Sequence, residues 1–464
     1  MVFSSTLFLG LFLPITLGLY YICKNNTYRN IILLIASLFF YAWGEPVLIL
    51  VMLTSAFVGY ISGHGVEKWR GTWKAKASLI FALVVDIGFL GVYKYSGFFV
   101  SNINQIFGTG INFAGFALPL GISFYTFQIL TYVIDVYRDD AGVQKSFYKF
   151  LLYVSMFPQL VAGPIVRYAD IEEQINHRKV TMAGFEYGII RFTQGMFKKV
   201  VLANCAGSIV NQLLGTDMST LSAFGAWLGI IMYTFQIYFD FSAYSDMAIG
   251  LGSFFGFKFK ENFDYPYMSK SITEFWRRWH MSLGSFFRDY VYIPLGGNRK
   301  HQLFNISVVW FLTGFWPGAS WNFILWGVYY GIWLIIEKKL IFKFIDRIPS
   351  WIRLIYSNII VIGGWVLFYF TDLSQIKGFL IAILGRNLGA NSIVAKYQFI
   401  SHIWIILLMF ICATPFVKFV VKKIRDKYKR LYGVLLPVSI IAIFMICFAL
   451  LVKQSYNPFL YFRF

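Results

Sequence analysis

Residues 271–298 read SITEFWRRWHMSLGSFFRDYVYIPLGGN. Arg277, Arg278, His280, Arg288 and Asp289 crowd into this stretch, between segments that are otherwise apolar. Ionisable groups near a bilayer core are costly, so they pair with one another, face a protein cavity or mark a functional path. A second island, TGFWPGASWNFILWG at 313–327, is rich in Trp and small residues. Two such islands inside a chain of apolar spans point to an active site held within a membrane.

Outward from these islands the composition is that of a membrane protein. Hydrophobic residues make up 58% of the 464 and charged residues 13%, about half the charged share of a soluble domain. Uncharged runs long enough to cross a bilayer lie at 1–23, 95–134, 218–239, 303–336, 397–417 and 431–452. Shorter or singly interrupted runs lie at 30–44, 47–66, 77–93, 150–166 and 354–371. At about 20 residues per span this predicts an all-α polytopic protein with roughly ten to twelve transmembrane helices. The 95–134 run is long enough for one span plus a re-entrant piece. The 1–23 run lacks a basic n-region and a small-residue cleavage site, so it reads as a retained first helix. No internal repeat, low-complexity tract or linker is visible. The chain is therefore expected to be a single membrane domain over 1–464, with its motif-rich core at 118–337.

The formal charge of +20 does not indicate nucleic acid, because the Lys and Arg residues gather at the ends of apolar runs. That is the pattern of positive-inside topology and attraction to anionic lipid. Placing Lys24 and Arg29, Lys68 to Lys76, Arg138 to Lys149 and Lys418 to Arg430 in the cytoplasm puts the N-terminus outside. The same count leaves Lys453–Phe464 outside. Cys23, Cys205, Cys412 and Cys447 are dispersed, no CxxC or HExxH occurs, and the histidines are isolated, so no metal site is expected. Pro158, Pro164, Pro266, Pro294, Pro317 and the Gly296–Gly297 pair break the middle of the chain. Irregular backbone at membrane depth has to be buried in protein or line a watery cavity.

His280 has two readings. It is either a structural histidine at a helix end or a general base kept neutral by the adjacent guanidinium groups. Arg277 and Arg278 are either interfacial, snorkelling side chains or ligands for the phosphates of a nucleotide-bearing donor such as coenzyme A. Asp240 and Asp246 fall on different helical faces of YFDFSAYSDMAIG (238–250), which makes them hydrogen-bonding partners for buried Arg or Tyr rather than a catalytic carboxylate pair. Ser242, Ser245 and Ser320 lack the GxSxG elbow of serine hydrolases. A transporter is disfavoured by the Trp-rich islands and the lack of repeat symmetry.

SLFFYAWGEP (37–46), LPLGISFYTFQILTYVIDVYR (118–138), FPQLVAGPIVRY (157–168), GMFKKVVLAN (195–204), NFDYPYMSKSITEFWRRWH (262–280) and the terminal NPFLYFRF (457–464) resemble the membrane-bound O-acyltransferase family, in its alginate O-acetyltransferase branch. The D-alanyl-lipoteichoic acid transferases are similar around FWRRWH. The resemblance implies a ring of helices with re-entrant segments around a central funnel. A cytoplasmic donor, acetyl-CoA, would meet an outer acceptor there, with no bound cofactor. The acceptor would be a cell-surface polysaccharide or a membrane-tethered or exported partner acyltransferase, and the protein would sit in the plasma membrane.

On that resemblance His280 is the general acid or base, and Arg277 and Arg278 contact donor phosphates. Trp276, Trp279, Trp316 and Trp321 wall the tunnel, and Asn322 polarises the acyl carbonyl. The family's other histidine falls in a GLWHGASW-like string, which here reads GFWPGASW, so the position is Pro317. Proline has no titratable side chain and no N–H. The departure leaves open a site run by His280 alone, a substituted residue, or a family member acting as a membrane scaffold or acyl conduit. Pro317 also predicts a helix break at 316–318, with Trp316 and Ser320 near His280.

Overall fold

The computed structural model describes residues 1–160, 163–341, 344–387, 392–453 and 459–460. The described residues are helical and contain no β-strand. Most of the NPFLYFRF string, and with it the expected outer C-terminal tail, lies outside the described residues.

Among the described residues four helices are long and apolar enough to cross a membrane: Ile49–Lys68, Trp73–Phe107, Ser350–Tyr369 and Lys429–Lys453. The pair Ile393–Ser401 and Ile403–Cys412, bent by 65°, makes a fifth if it is one span. This is fewer than the count of apolar runs, because several runs are helical but broken. The 95–134 run ends one helix at Phe107, where Gly108 adopts φ 65°, and starts another at Ile122. The 303–336 run divides at Trp316–Ser320 into Gln302–Phe315 and Trp321–Ile336.

The chain forms two compact units. The first comprises Met1–Phe192 and Tyr244–Glu261, with residues 459–460. Within it Ile49–Lys68 packs against Trp73–Leu90 and Ile122–Arg138. The contact is close because a Cβ at Gly63 would stand 2.8 Å from the Tyr132 ring. Membrane helices associate by such small-residue approaches rather than by a hydrophobic difference. Half-buried Arg191 joins buried Asp246 at 2.7 Å and also pairs with Glu261, which gives Asp246 the partner role expected of it.

The second unit comprises Thr193–Ala243 and the described residues from Asn262 to 453. Its centre is the antiparallel pair Gln302–Phe315 and Trp321–Ile336, followed by Ser350–Tyr369. A Cβ at Gly314 would lie 2.6 Å from the Phe323 carbonyl oxygen and 2.8 Å from Gly327 Cα, so the first two helices cross backbone on backbone. Asp240 forms a buried 2.5 Å ion pair with Lys199, the cation taking the place expected for an Arg or Tyr.

Candidate active site

The decisive stretch folds as two short helices, Ile272–Arg278 and Met281–Phe287, joined at Trp279 and His280. Ser271 starts the first by accepting from the Glu274 N–H at 3.0 Å. Glu337, fully buried, reaches that same N-terminus from the end of the Trp321–Ile336 helix. Its carboxylate accepts from the N–H of Ile272 at 2.5 Å, and from the N–H and hydroxyl of Thr273 at 2.9 and 2.8 Å. The first N–H groups of a helix have no internal partner and carry partial positive charge, so a carboxylate there both satisfies and stabilises them.

His280 joins the two helices with φ 44° and ψ 55°, in the left-handed region. A non-glycine residue there costs about 1–3 kcal/mol and persists only where its surroundings impose it. Here the segment 262–264 imposes it: Met281 N–H donates to the Asn262 carbonyl at 3.0 Å, and Asp264 N–H to the Arg278 carbonyl at 3.0 Å. That segment is anchored in turn, since Tyr267 donates its hydroxyl to the Thr234 carbonyl at 2.6 Å and Asn358 donates to the Tyr267 carbonyl at 3.0 Å.

The Asn262 side chain sets the protonation of the imidazole. Its Oδ1 accepts from the Ser282 N–H at 3.1 Å and from the Ser282 hydroxyl at 2.9 Å, and lies 3.2 Å from His280 Nδ1. A backbone N–H can only donate, so the Asn262 atom facing this cluster is the oxygen; with the Ser282 hydroxyl given to that oxygen and standing 3.4 Å from Nδ1, an oxygen that only accepts favours the proton on Nδ1. Nε2 then carries the lone pair. It is buried and has no hydrogen-bond partner among the described residues. Phe241, Trp316 and Phe263 surround the ring at centroid distances of 4.7, 5.6 and 6.4 Å. His280 lies outside the spanning helices, and burial pushes its pKa down to about 3. The imidazole is therefore neutral, as expected, but burial is the cause rather than the neighbouring arginines.

The helix break predicted at Pro317 is present. The Gln302–Phe315 helix ends there, and Trp316 turns its ring to His280. Pro317 is buried in the turn, and Ser320 is half-buried at the cap of the next helix. Trp279 is packed between Phe263 at 5.1 Å and Trp365 at 4.9 Å. Trp276 stacks edge-on to Trp310 at 4.7 Å and to Trp326 at 5.5 Å. Trp321, by contrast, is 57% exposed.

Arg278 is engaged by Glu274 at 2.7 Å. Arg277 is exposed, and its charge, after burial, helps lower the pKa of Lys338. Asn322 is buried, and its amide N–H₂ donates to the carbonyls of Leu367 and Phe368 at 3.3 and 3.4 Å. The group that would polarise a carbonyl is thus already used to tie down the Ser350–Tyr369 helix. Asn262, Ser282, Phe241, Phe263 and Glu337 were not singled out from the sequence. Asn262 opens the quoted NFDYPY string, yet no local spacing links it to an imidazole eighteen residues on, beyond the Ile272–Arg278 helix.

Fold and site together define an α-helical integral membrane protein with an enclosed, neutral imidazole whose Nε2 is available to take a proton. The profile of the membrane-bound O-acyltransferase family matches residues 136–371. A "Probable alginate O-acetylase AlgI" of Pseudomonas aeruginosa is 44% identical over 381 residues, 79% of this chain and 72% of that protein. A "Peptidoglycan O-acetyltransferase" of Helicobacter pylori is 34% identical over 428 residues, 83% of this chain and 80% of that protein. A "Teichoic acid D-alanyltransferase" of Streptococcus thermophilus is 34% identical over 238 residues, covering 47% of this chain and 56% of that protein. The chain belongs to the membrane-bound O-acyltransferase family and is an O-acyltransferase.

Proposed function

We propose that this protein moves an acetyl group from a cytoplasmic thioester donor, acetyl-CoA, to a hydroxyl of a cell-surface polysaccharide or of a partner acyltransferase. The reading is of a multi-pass plasma-membrane protein, one membrane domain over 1–464, with its N-terminus outside. The carrying observation is the unpartnered Nε2 of His280, fixed as the proton-accepting nitrogen by Asn262. Nε2 takes the proton of the acceptor hydroxyl as its oxygen attacks the thioester carbonyl. The C–S bond then breaks, and the leaving thiolate recovers that proton from Nε2. One imidazole serves both transfers, which is why Pro317 does not block the scheme. Arg277, with Lys338 near it, and Arg278 hold the donor phosphates, while Trp276, Trp279, Trp316 and Ser320 line the approach. The relatives named for acetylation of alginate and of peptidoglycan support the acetyl group and a glycan acceptor.

The test is radiolabelled acetyl transfer in proteoliposomes. His280→Ala should lower the rate by about 10²–10⁴-fold, the usual worth of a general acid–base group. Equal transfer by the two proteins would remove His280 from the chemistry. The buried proline at the family's second histidine position favours one other reading, a membrane scaffold or acyl conduit. In that case wild type is inactive with every acceptor, and Pro317→His gains no transfer. Acetyl transfer by wild type eliminates this second reading.

A further inference from the structure

A groove of about 350 Å³ runs between the Phe8–Ile22 helix and the Asn26–Ala42 helix, lined on one side by Leu11, Ile15 and Leu19 and on the other by Ile32, Ile35 and Phe39. All of these side chains are apolar, and they repeat at helical spacing along each partner. The twelve rises from residue 7 to residue 19 extend about 18 Å at 1.5 Å each, a span suited to an extended fatty acyl chain. The stripe on the second helix continues one turn past Ile32 to Arg29. Exposed Lys24 stands in the connection that precedes it.

Arg29 is only 8% exposed. Its Nε donates to the Cys23 carbonyl at 3.0 Å, and its guanidinium lies against Tyr20 and Tyr21 at 5.1 and 5.8 Å. No carboxylate pairs with it among the described residues. Across Tyr20 stands a second buried guanidinium, Arg178, whose carbon is 5.6 Å from the same ring. Arg178 spends its hydrogens on Asn30, Tyr20 and the carbonyls of Gln174, Ile175 and Phe255, and its Nη2 has no partner. Lys24 is exposed in the same connection. A buried cation without a counter-ion is destabilising. The two share Tyr20, and Arg29 stands one helical turn from Ile32 of the apolar groove, so an anion carrying a hydrocarbon tail would suit both.

We propose that this groove is a binding site for one anionic phospholipid, with an acyl chain along Leu11–Leu19 and the phosphate on Arg29 and Lys24. Free phosphate has no use for the groove, and a neutral fatty chain has none for the cations. The site is independent of the chemistry at His280. Its cationic end coincides with the expected cytoplasmic loop, the side on which anionic headgroups concentrate.

The full-length protein is reconstituted into phosphatidylcholine vesicles containing a trace of phosphatidylglycerol, or of phosphatidylcholine, that bears a diazirine in one acyl chain. Photolysis should label peptides within residues 7–43 more strongly with the phosphatidylglycerol probe. Lys24→Gln, on an exposed side chain, should reduce that excess about fivefold, the contribution of one basic residue at an anionic membrane surface. Leu11→Trp and Ile35→Trp add bulk at positions 54% and 60% exposed, where folding tolerates it, and should remove the label from the groove. Arg29→Gln should abolish the headgroup preference, with size-exclusion behaviour reporting whether that variant remains folded. Equal labelling by the two probes, or undiminished labelling of both groove-filled variants, overturns the proposal.

Discussion

At the scale of single residues, the site turns on which nitrogen of His280 holds the proton. Asn262→Leu removes the acceptor facing Nδ1 and should cost between about tenfold and 10⁴-fold in kcat, the range seen when an orienting partner of an imidazole is lost. A normal KM and an altered ¹⁵N spectrum of His280 would distinguish a lost tautomer from a lost fold. The pH profile follows from burial. With its pKa down at about 3, His280 stays neutral through mild acid, so transfer should show no acid limb near pH 6.5. Asn262→Asp would set a carboxylate against Nδ1–H, which favours the imidazolium and raises the pKa. Activity of that variant should fall as pH drops through the raised value. An acid limb near 6.5 in wild type, unmoved by Asn262→Asp, would contradict the assignment. Trp316 packs its ring 5.6 Å from the imidazole. Trp316→Ala should therefore shift preference from acetyl toward longer acyl thioesters, measured as the ratio of kcat/KM for butyryl and acetyl donors.

At the scale of elements, two short helices are positioned by groups far from them in sequence. Glu337→Ala would strip acceptors from the Ile272 and Thr273 N–H groups, a loss on the order of 1–3 kcal/mol for each buried donor. Glu337→Gln keeps one acceptor and should recover part of the melting temperature. Because the same helix carries Trp279 to its place beside His280, transfer activity should fall in the same order. The crossing at Gly314 and Gly327 has no space for a side chain. Gly327→Val should destabilise by about 1–3 kcal/mol through overpacking, read as a lower melting temperature in detergent. An unchanged melting temperature would mean that these helices do not cross as described.

At the scale of the whole molecule, the distribution of charge makes a topological prediction. Single cysteines placed at Asn25 and Lys423, in a background lacking Cys23, Cys205, Cys412 and Cys447, should resist a membrane-impermeant maleimide in intact cells and react after permeabilisation. Labelling of both in intact cells would invert the assignment. The membrane class itself was legible from composition because a bilayer imposes a coarse, one-dimensional requirement: long apolar runs with cations at their ends. The number of spans was less legible. The runs at 95–134 and 303–336 look continuous by hydropathy, yet Gly108 and Pro317 break the helices inside them.

Local chemistry was readable wherever a residue acts alone or on its near neighbours. Pro317 dictated the helix break, and the FWRRWH string identified His280 as the residue to examine. Tertiary structure decided everything that depends on a partner distant in the chain. It assigned Asp240 to Lys199, and Asn322 to the carbonyls of another helix. It also placed the oxygen of Asn262 against an imidazole separated from it by a loop and a helix, and packed aromatic rings against that imidazole. The physical reason is that hydropathy and backbone propensity act over one or two helical turns. A hydrogen bond to a buried side chain is made only after the chain has folded back, and no local pattern records which atoms will meet.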